Sequence, residues 1–272
     1  MTAQRARGTL WLAAKQGAAA GTSALADLRH SGCLKALFPR GPRDRLSAVF
    51  VNTSGGITGG DDLRIEATVT SGARLSLTSQ AAERIYRSSH GAPGIVRTQV
   101  SVESGARLDW LPQETILYDR ASLDRSLRID LQGDASCLLV ETLVFGRSAM
   151  GETIRNISLS DRIAVWRDGA PLFVDRTHLS GNAALHLERR AIATGGIAIA
   201  TVLLATAPDR PDASAHLDKL RPTLPRQAGI SLIRPGLLLL RMVAPDSFVL
   251  RQTLLPVLAQ LNDGPLPRTW MI

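Results

Sequence analysis

The stretch VTSGARLSLTSQ, residues 69–80, returns 33 residues later as VESGARLDWLPQ, residues 102–113. The copies agree at Val, Ser, Gly, Ala, Arg, Leu and Gln, and a fainter third copy, LQGDASCLLVET, occupies 131–142. Repetition at this period predicts one β unit laid down several times, each covering its neighbour's apolar face. Just upstream, RIEATVT (64–70) alternates, with Ile65, Ala67 and Val69 on one face. After Ser71-Gly72, the run ARLSLT gathers Ala73, Leu75 and Leu77 on one face. Two alternating runs around a tight turn read as a hairpin. The expected fold is therefore mostly β: layered sheets built from repeated hairpins, either a sandwich or β-helix-like.

Working outward, RIAVWRDGAPLFVDR (162–176) reads as a hairpin turning at Asp168-Gly169. ALHLERRAIA (184–193) alternates through Leu185 and Leu187, and GIAIATVLLAT (196–206) is a buried-strand candidate. The pattern breaks at APDRP, near 207–211, and a few helices are expected in the C-terminal quarter. PDASAHLDKL (211–220) starts like a helix, and GISLI and GLLLLRMV are strand runs. DSFVLRQTLLPVLAQL (246–261) has helical spacing with Asp246 as N-cap, and Pro256 should kink or split it. The ending PLPRTWMI is expected to be extended. This gives a layered β domain over 1–206 and an α+β segment over 207–272 packed on it, or both as a single domain.

At 272 residues, with 44% apolar and 21% charged residues, the composition is that of a globular protein with a sizeable core. No stretch approaches the roughly 18 apolar residues of a membrane span. The N-terminal apolar run ends at Lys15, too short for a secretory leader, so a cytoplasmic chain is expected. Cys33 and Cys137 are then expected to be thiols. The net charge of +8 rests on arginine, which supplies 29 of the 32 basic residues. These arginines are scattered, and only 4% of residues are aromatic, which argues against a nucleic-acid-binding module.

The segment VNTSGGITGGDDL (51–63) tests whether the chain is an enzyme. A phosphate-binding loop needs a lysine and a hydroxyl after its last glycine, whereas Gly60 is followed by Asp61 and Asp62. The spacing also misses the dinucleotide pattern, and a β run follows where a helix should begin. Gly55, Gly56, Gly59 and Gly60 read instead as a turn where backbones approach closely. No nucleophile elbow is present, and His30 with Cys33 gives two metal ligands without a second pair. Gln80, Glu114, Glu141 and Glu152 lie in otherwise apolar β segments. Each either pairs with a nearby arginine, such as Arg84, Arg87 or Arg147, or lines a polar channel or interface.

Four motifs occur in order: NTSGGITGGDDL (52–63), TSQAAERIYRS (78–88), LPQETILYDRA (111–121) and ETLVFGRSAMGE (141–152). Together with the final PRTW (267–270), they resemble the UreD family of urease accessory proteins, called UreH in some organisms. The chain departs from that family's Thr-Lys pair with Glu83-Arg84. The resemblance implies a non-catalytic scaffold, mostly β, that serves in maturing nickel urease. It implies as partners the urease apoprotein and two further accessory proteins, UreF and the GTPase UreG. It also implies nickel handled in transit along a water-filled route, with no cofactor held tightly. On that reading the four glycines shape a turn and Asp61 lines or braces the route. Gln80, Tyr86, Arg87, Glu114, Arg147 and Glu152 are interior polar supports, and Asp61 and Glu141 offer weak nickel contacts. The competing expectation is a hydrolase or nucleotide-dependent enzyme using the loop 55–61.

Overall fold

The computed structural model describes residues 4–89, 91–147, 150–210 and 212–271. Two sheets face each other. The first holds β1 (Arg7–Gln16), β2 (Ser23–Gly32), β5 (Asp62–Val69), β8 (Gly94–Val102), β11 (Ser122–Leu131), β13 (Ile157–Arg167) and β14 (Ala170–Gly181). Its order is β14-β13-β11-β8-β5-β1-β2. The second holds β3 (Leu34–Leu37), β4 (Leu46–Asn52), β6 (Arg74–Ser79), β9 (Arg107–Trp110), β12 (Ser136–Phe145), β15 (Ala198–Ala205), β16 (Ala228–Arg234) and β17 (Leu237–Ala244). Two short strands, β7 (Glu83–Ile85) and β10 (Thr115–Leu117), complete it beside β12.

The repeats form a β-solenoid-like stack, and the expected hairpin at 64–77 is not there. β5 and β6 belong to different sheets, so Ser71-Gly72 turns a corner between layers. β5 pairs in parallel with β8, and β6 in parallel with β9. The copies become ladder partners: Val69 lies opposite Val102, which lies opposite Leu131, and Arg74 lies opposite Arg107, which lies opposite Ser136. An alternating run around a short corner serves a hairpin and a layered coil equally well, because both need one apolar face. The corners also stack. The Ser71 hydroxyl donates to the Ser104 carbonyl at 2.7 Å, and Asp134 accepts from the Ser104 hydroxyl and the Gly105 N–H.

Inward residues of both sheets, among them Leu10, Ile65, Leu75, Leu108 and Ile129, form the main core. The outer face of the second sheet is covered by α2 (Asp212–Leu220) and α3 (Ser247–Leu261), which close a second apolar layer around Leu240, Leu254 and Leu258. The second sheet runs on through β15, β17 and β16, so its hydrogen bonding spans the sequence break at 207. Asp246 caps α3 as expected, its side chain accepting from the Val249 N–H. Pro256 does not split that helix. Pro211, the expected first residue of the α2 segment, lies outside the described residues.

The 162–176 hairpin forms as β13 and β14, and β15, β16 and β17 match their predicted runs. Two further expectations fail. Residues 184–193 are not a strand: Asn182 accepts from the Leu185 N–H and starts α1 (Ala183–Leu187), which buries Ala183 and Leu187 four apart on one face. The C-terminus is not simply extended either, since Arg268–Trp270 makes a 3-10 turn. That turn seats Trp270 fully buried, its indole N–H donating to the Leu111 carbonyl at 2.9 Å. Both cysteines are free, and burial pushes the Cys137 thiol up to about 12. No helix among the described residues is long and apolar enough to cross a membrane.

Candidate functional site: a surface ladder and an interior chamber

The singled-out residues separate into two places. The first is a ladder on the solenoid rim, one rung per coil. The Gly55 carbonyl accepts from the Tyr86 hydroxyl at 3.2 Å, and the Tyr86 ring meets Tyr118 edge-on with centroids 5.1 Å apart. The Arg147 guanidinium lies 4.3 Å over the Tyr118 ring and donates to Glu152 at 2.9 Å. Glu152 also accepts from the Asp119 N–H, and Asp119 accepts in turn from the Arg155 and Asn156 N–H groups. Burial opposes the charge of Glu152, but Arg147 and the Asp119 N–H hold its carboxyl below the usual range. Ser148 and Ala149 of the fourth motif, and His90, lie outside the described residues.

Glycine is required along the turn that begins the ladder, and Gly56 and Gly60 show the two reasons. A Cβ on Gly56 would sit 2.4 Å from the Tyr86 ring and 2.7 Å from the Arg84 carbonyl. Gly60 has φ +89°, a conformation that side-chain-bearing residues rarely adopt. Asp61 is buried, and its two oxygens accept from the Ala6 and Thr58 N–H groups, each at 2.8 Å. It ties the turn to the chain entering β1.

The second place is an interior chamber of about 60 Å³ between the sheets. Its polar wall is a buried ion cluster. Arg125 of β11 grips Asp161 of β13 with two nitrogens, at 2.9 and 2.6 Å, and reaches Glu141 of β12 at 2.8 Å. Arg125 also donates to the Thr115 hydroxyl, and Trp110 donates to Glu141, at 2.9 and 2.8 Å. Burial works against the charge on Arg125, but Asp161 and Glu141 more than offset it, so the guanidinium stays cationic. Burial also raises the Glu141 carboxyl, against the pull of Arg125. Glu83 of β7 lines the same chamber, and burial pushes its carboxyl up to about 7.

The six residues expected as interior supports lie partly buried or exposed: Glu114 is partly buried, accepting from Arg251 at 3.2 Å, while buried Glu141 was expected on that reading only as a weak nickel contact. Gln80, Arg87 and Arg147 are exposed, because each follows the end of its strand where the chain turns the rim. Tyr86 and Glu152 are partly buried on the ladder. Tyr118, Arg125 and Asp161 were not singled out by sequence, and Glu83 only as a departure from the family's pattern. Arg125 had a signal: it shares the period-two face of Leu123, Leu127 and Ile129, an inward position for a charge. Among the described residues, no group of three His, Cys, Asp or Glu side chains is placed to hold a metal.

A family model described as UreD urease accessory protein matches residues 6–271. Proteins named urease accessory protein UreD resemble the chain over nearly its full length. The one from Ruegeria pomeroyi is 50% identical over 250 residues, covering 92% of this chain and 96% of its own. The one from Roseobacter denitrificans is 44% identical over 252 residues, covering 93% and 90%. That from Sinorhizobium medicae is 39% identical over 275 residues, covering 99% and 97%. From the four ordered motifs, their assembly on one solenoid and this end-to-end match, the chain is a member of the UreD family of urease accessory proteins.

Proposed function

We propose that the chain is a cytoplasmic, non-catalytic scaffold for assembling the nickel centre of urease. It binds the urease apoprotein together with UreF and the GTPase UreG, and GTP hydrolysis belongs to UreG. The observation that carries this reading is the family match over residues 6–271, with relatives named for a urease accessory role. Nickel is cargo here, passing through the chain rather than residing in it. Glu141 lies at the chamber wall with its two oxygens already engaged by Trp110 and Arg125, so a nickel contact there is weak, as suits a cation that must leave again. Asp61 acts on the route by holding the turn in place.

The test is urease activity and nickel content in cells expressing the urease subunits and the other accessory proteins, with and without this chain. Both should collapse without it and return with it; unchanged values would overturn the scaffold reading. Asp61→Ala should lower activation while the protein still folds, because two backbone N–H groups lose their acceptor, a cost of about 1–3 kcal/mol. Full activation by a folded Asp61→Ala protein would remove its bracing role.

A further inference from the structure

The rim that carries the ladder leaves a cluster of positive charge without internal counter-charge. Arg84, Arg87, Arg120, Arg147 and Arg155 are all exposed there, and they come from three successive coils. Stacking brings them together. The Ser88 N–H donates to the Arg120 carbonyl at 2.9 Å, the Arg120 N–H donates to the Asn156 carbonyl at 2.7 Å, and Arg87 bridges to Ala121. Coils about 4.8 Å apart set these cations within about 10 Å along the stack. The two acids of the same surface are already engaged within it. Asp119 accepts from the Arg155 and Asn156 N–H groups, and Glu152 accepts from Arg147 and the Asp119 N–H. Among the described residues, no carboxylate pairs with Arg84, Arg87 or Arg155. Like charges on neighbouring coils repel, so the rim lacks a counter-charge of its own.

Arg120 carries the clearest mark. Its φ is +63°, a left-handed conformation that glycine adopts freely and that a side chain disfavours. Its N–H and carbonyl are both tied to neighbouring coils, which holds the corner in that shape. The side chain is 68% exposed, and its one ion pair, with Asp119 at 3.8 Å, is long and open to water. The corner itself needs only a glycine, so the guanidinium serves something outside the chain. Arg120 and Arg155 line an open cleft, with Asp119, Glu152 and Asn156 as its other polar walls.

We propose that this rim is the docking surface for an acidic segment of a protein partner, whose carboxylates seat against Arg87, Arg120 and Arg155. The inference rests on the reading that the chain assembles with the urease proteins, and it adds the surface and the chemistry of the contact. Charge complementarity and reach select a protein segment over other anions. A free phosphate meets one or two of these side chains, whereas a segment with several carboxylates meets all three coils. A nucleic acid strand wants open aromatic faces, but Tyr86 meets Tyr118 edge-on and Arg147 covers the Tyr118 ring. Arginine's planar fork binds a carboxylate through two parallel hydrogen bonds, which fixes orientation as well as charge. On so solvated a rim the contact speeds encounter and sets register more than it holds the complex.

The test is the association rate of the full chain with purified urease apoprotein and with purified UreF, read by surface plasmon resonance at about 50 and about 300 mM salt. The wild type should bind at least one of them, with an on-rate that falls at least about tenfold between the two salts. Arg120→Glu with Arg155→Glu should associate at least about tenfold more slowly at low salt and lose most of that salt dependence. Arg120→Gly suits the φ of its corner, so it keeps the fold while removing the cation, and it too should associate more slowly than wild type. Arg162→Glu with Arg176→Glu makes the same charge change at two exposed positions on β13 and β14, and it should bind like wild type. Wild-type binding that the rim variants leave unchanged overturns the docking surface while the assembly reading stands. Equal loss in both double variants traces the effect to net charge and overturns it as well. Rim variants that bind the proteins like wild type, but lose a rise in Tm that inorganic phosphate gives the wild type, make the rim a small-anion site instead. Binding of neither protein by the wild type removes the assembly reading, and the inference with it.

Discussion

The chamber and the rim ladder use the same chemistry, an arginine set between carboxylates, with opposite consequences. At the rim, Arg147 is 43% exposed and its pair with Glu152 competes with water. Between the sheets, the Arg125 side chain is 13% exposed and those of Glu141 and Asp161 are each 6% exposed, so no solvent stands ready to replace a lost partner. The rim can therefore be rearranged at low cost when a partner arrives, whereas the interior cluster holds β11, β12 and β13 across both sheets. The family motifs contribute to each place. A recurring motif thus does not by itself tell a contact surface from a structural anchor; burial does.

The comparison breaks most clearly at Arg125. Arg125→Met should destabilise the fold by about 3–5 kcal/mol, because it strands two buried carboxylates. Denaturant unfolding measures this, and a loss below about 1 kcal/mol would mean that water reaches the cluster freely. Next comes the turn. Gly60→Val should cost about 1–3 kcal/mol, since a β-branched residue fits poorly at positive φ; unchanged thermal stability would remove the conformational argument.

A pH series sharpens the chamber side of the comparison. The folded Glu83 carboxyl lies at about 7 against an ordinary 4.5, so the folded state holds the extra proton between those values. Its contribution is fully present below about pH 4.5 and is lost as pH rises through 7. Stability should decline across that window in the wild type, while Glu83→Gln flattens this part of the curve and is the more stable protein at pH 8. The smallest effect belongs to the rim: Arg147→Ala should change stability by no more than about 1 kcal/mol. A larger loss in thermal unfolding would make the ladder an anchor after all.

Much of this was legible in the residues. The two SGAR copies marked the coil, and the structure turns their 33-residue offset into ladder register. What the copies did not reveal was the partner of each strand, because alternation reports one buried face and says nothing of which chain segment supplies the hydrogen bonds. The α1 segment misled for a related reason: Leu185 and Leu187 fit a period of two, while the Asn182 cap and the spacing of Ala183 to Leu187 decided for a helix. The chamber was least legible. Glu141 stood out as an acid in an apolar run, but its partners Arg125 and Asp161 come from other coils, 16 and 20 positions away in sequence. Only the stacking brings them together.

The parallel ladder also sets how such a molecule can change in size. Each repeated coil takes its hydrogen bonds mainly from the coils above and below, so a whole coil added or removed leaves the remaining rungs in register. A single residue added inside a strand is another matter, for it turns every later side chain of that strand to the opposite face. Length variation in this architecture should thus come in whole coils or at the corners, and the spacing between rungs is the dimension that inheritance must keep.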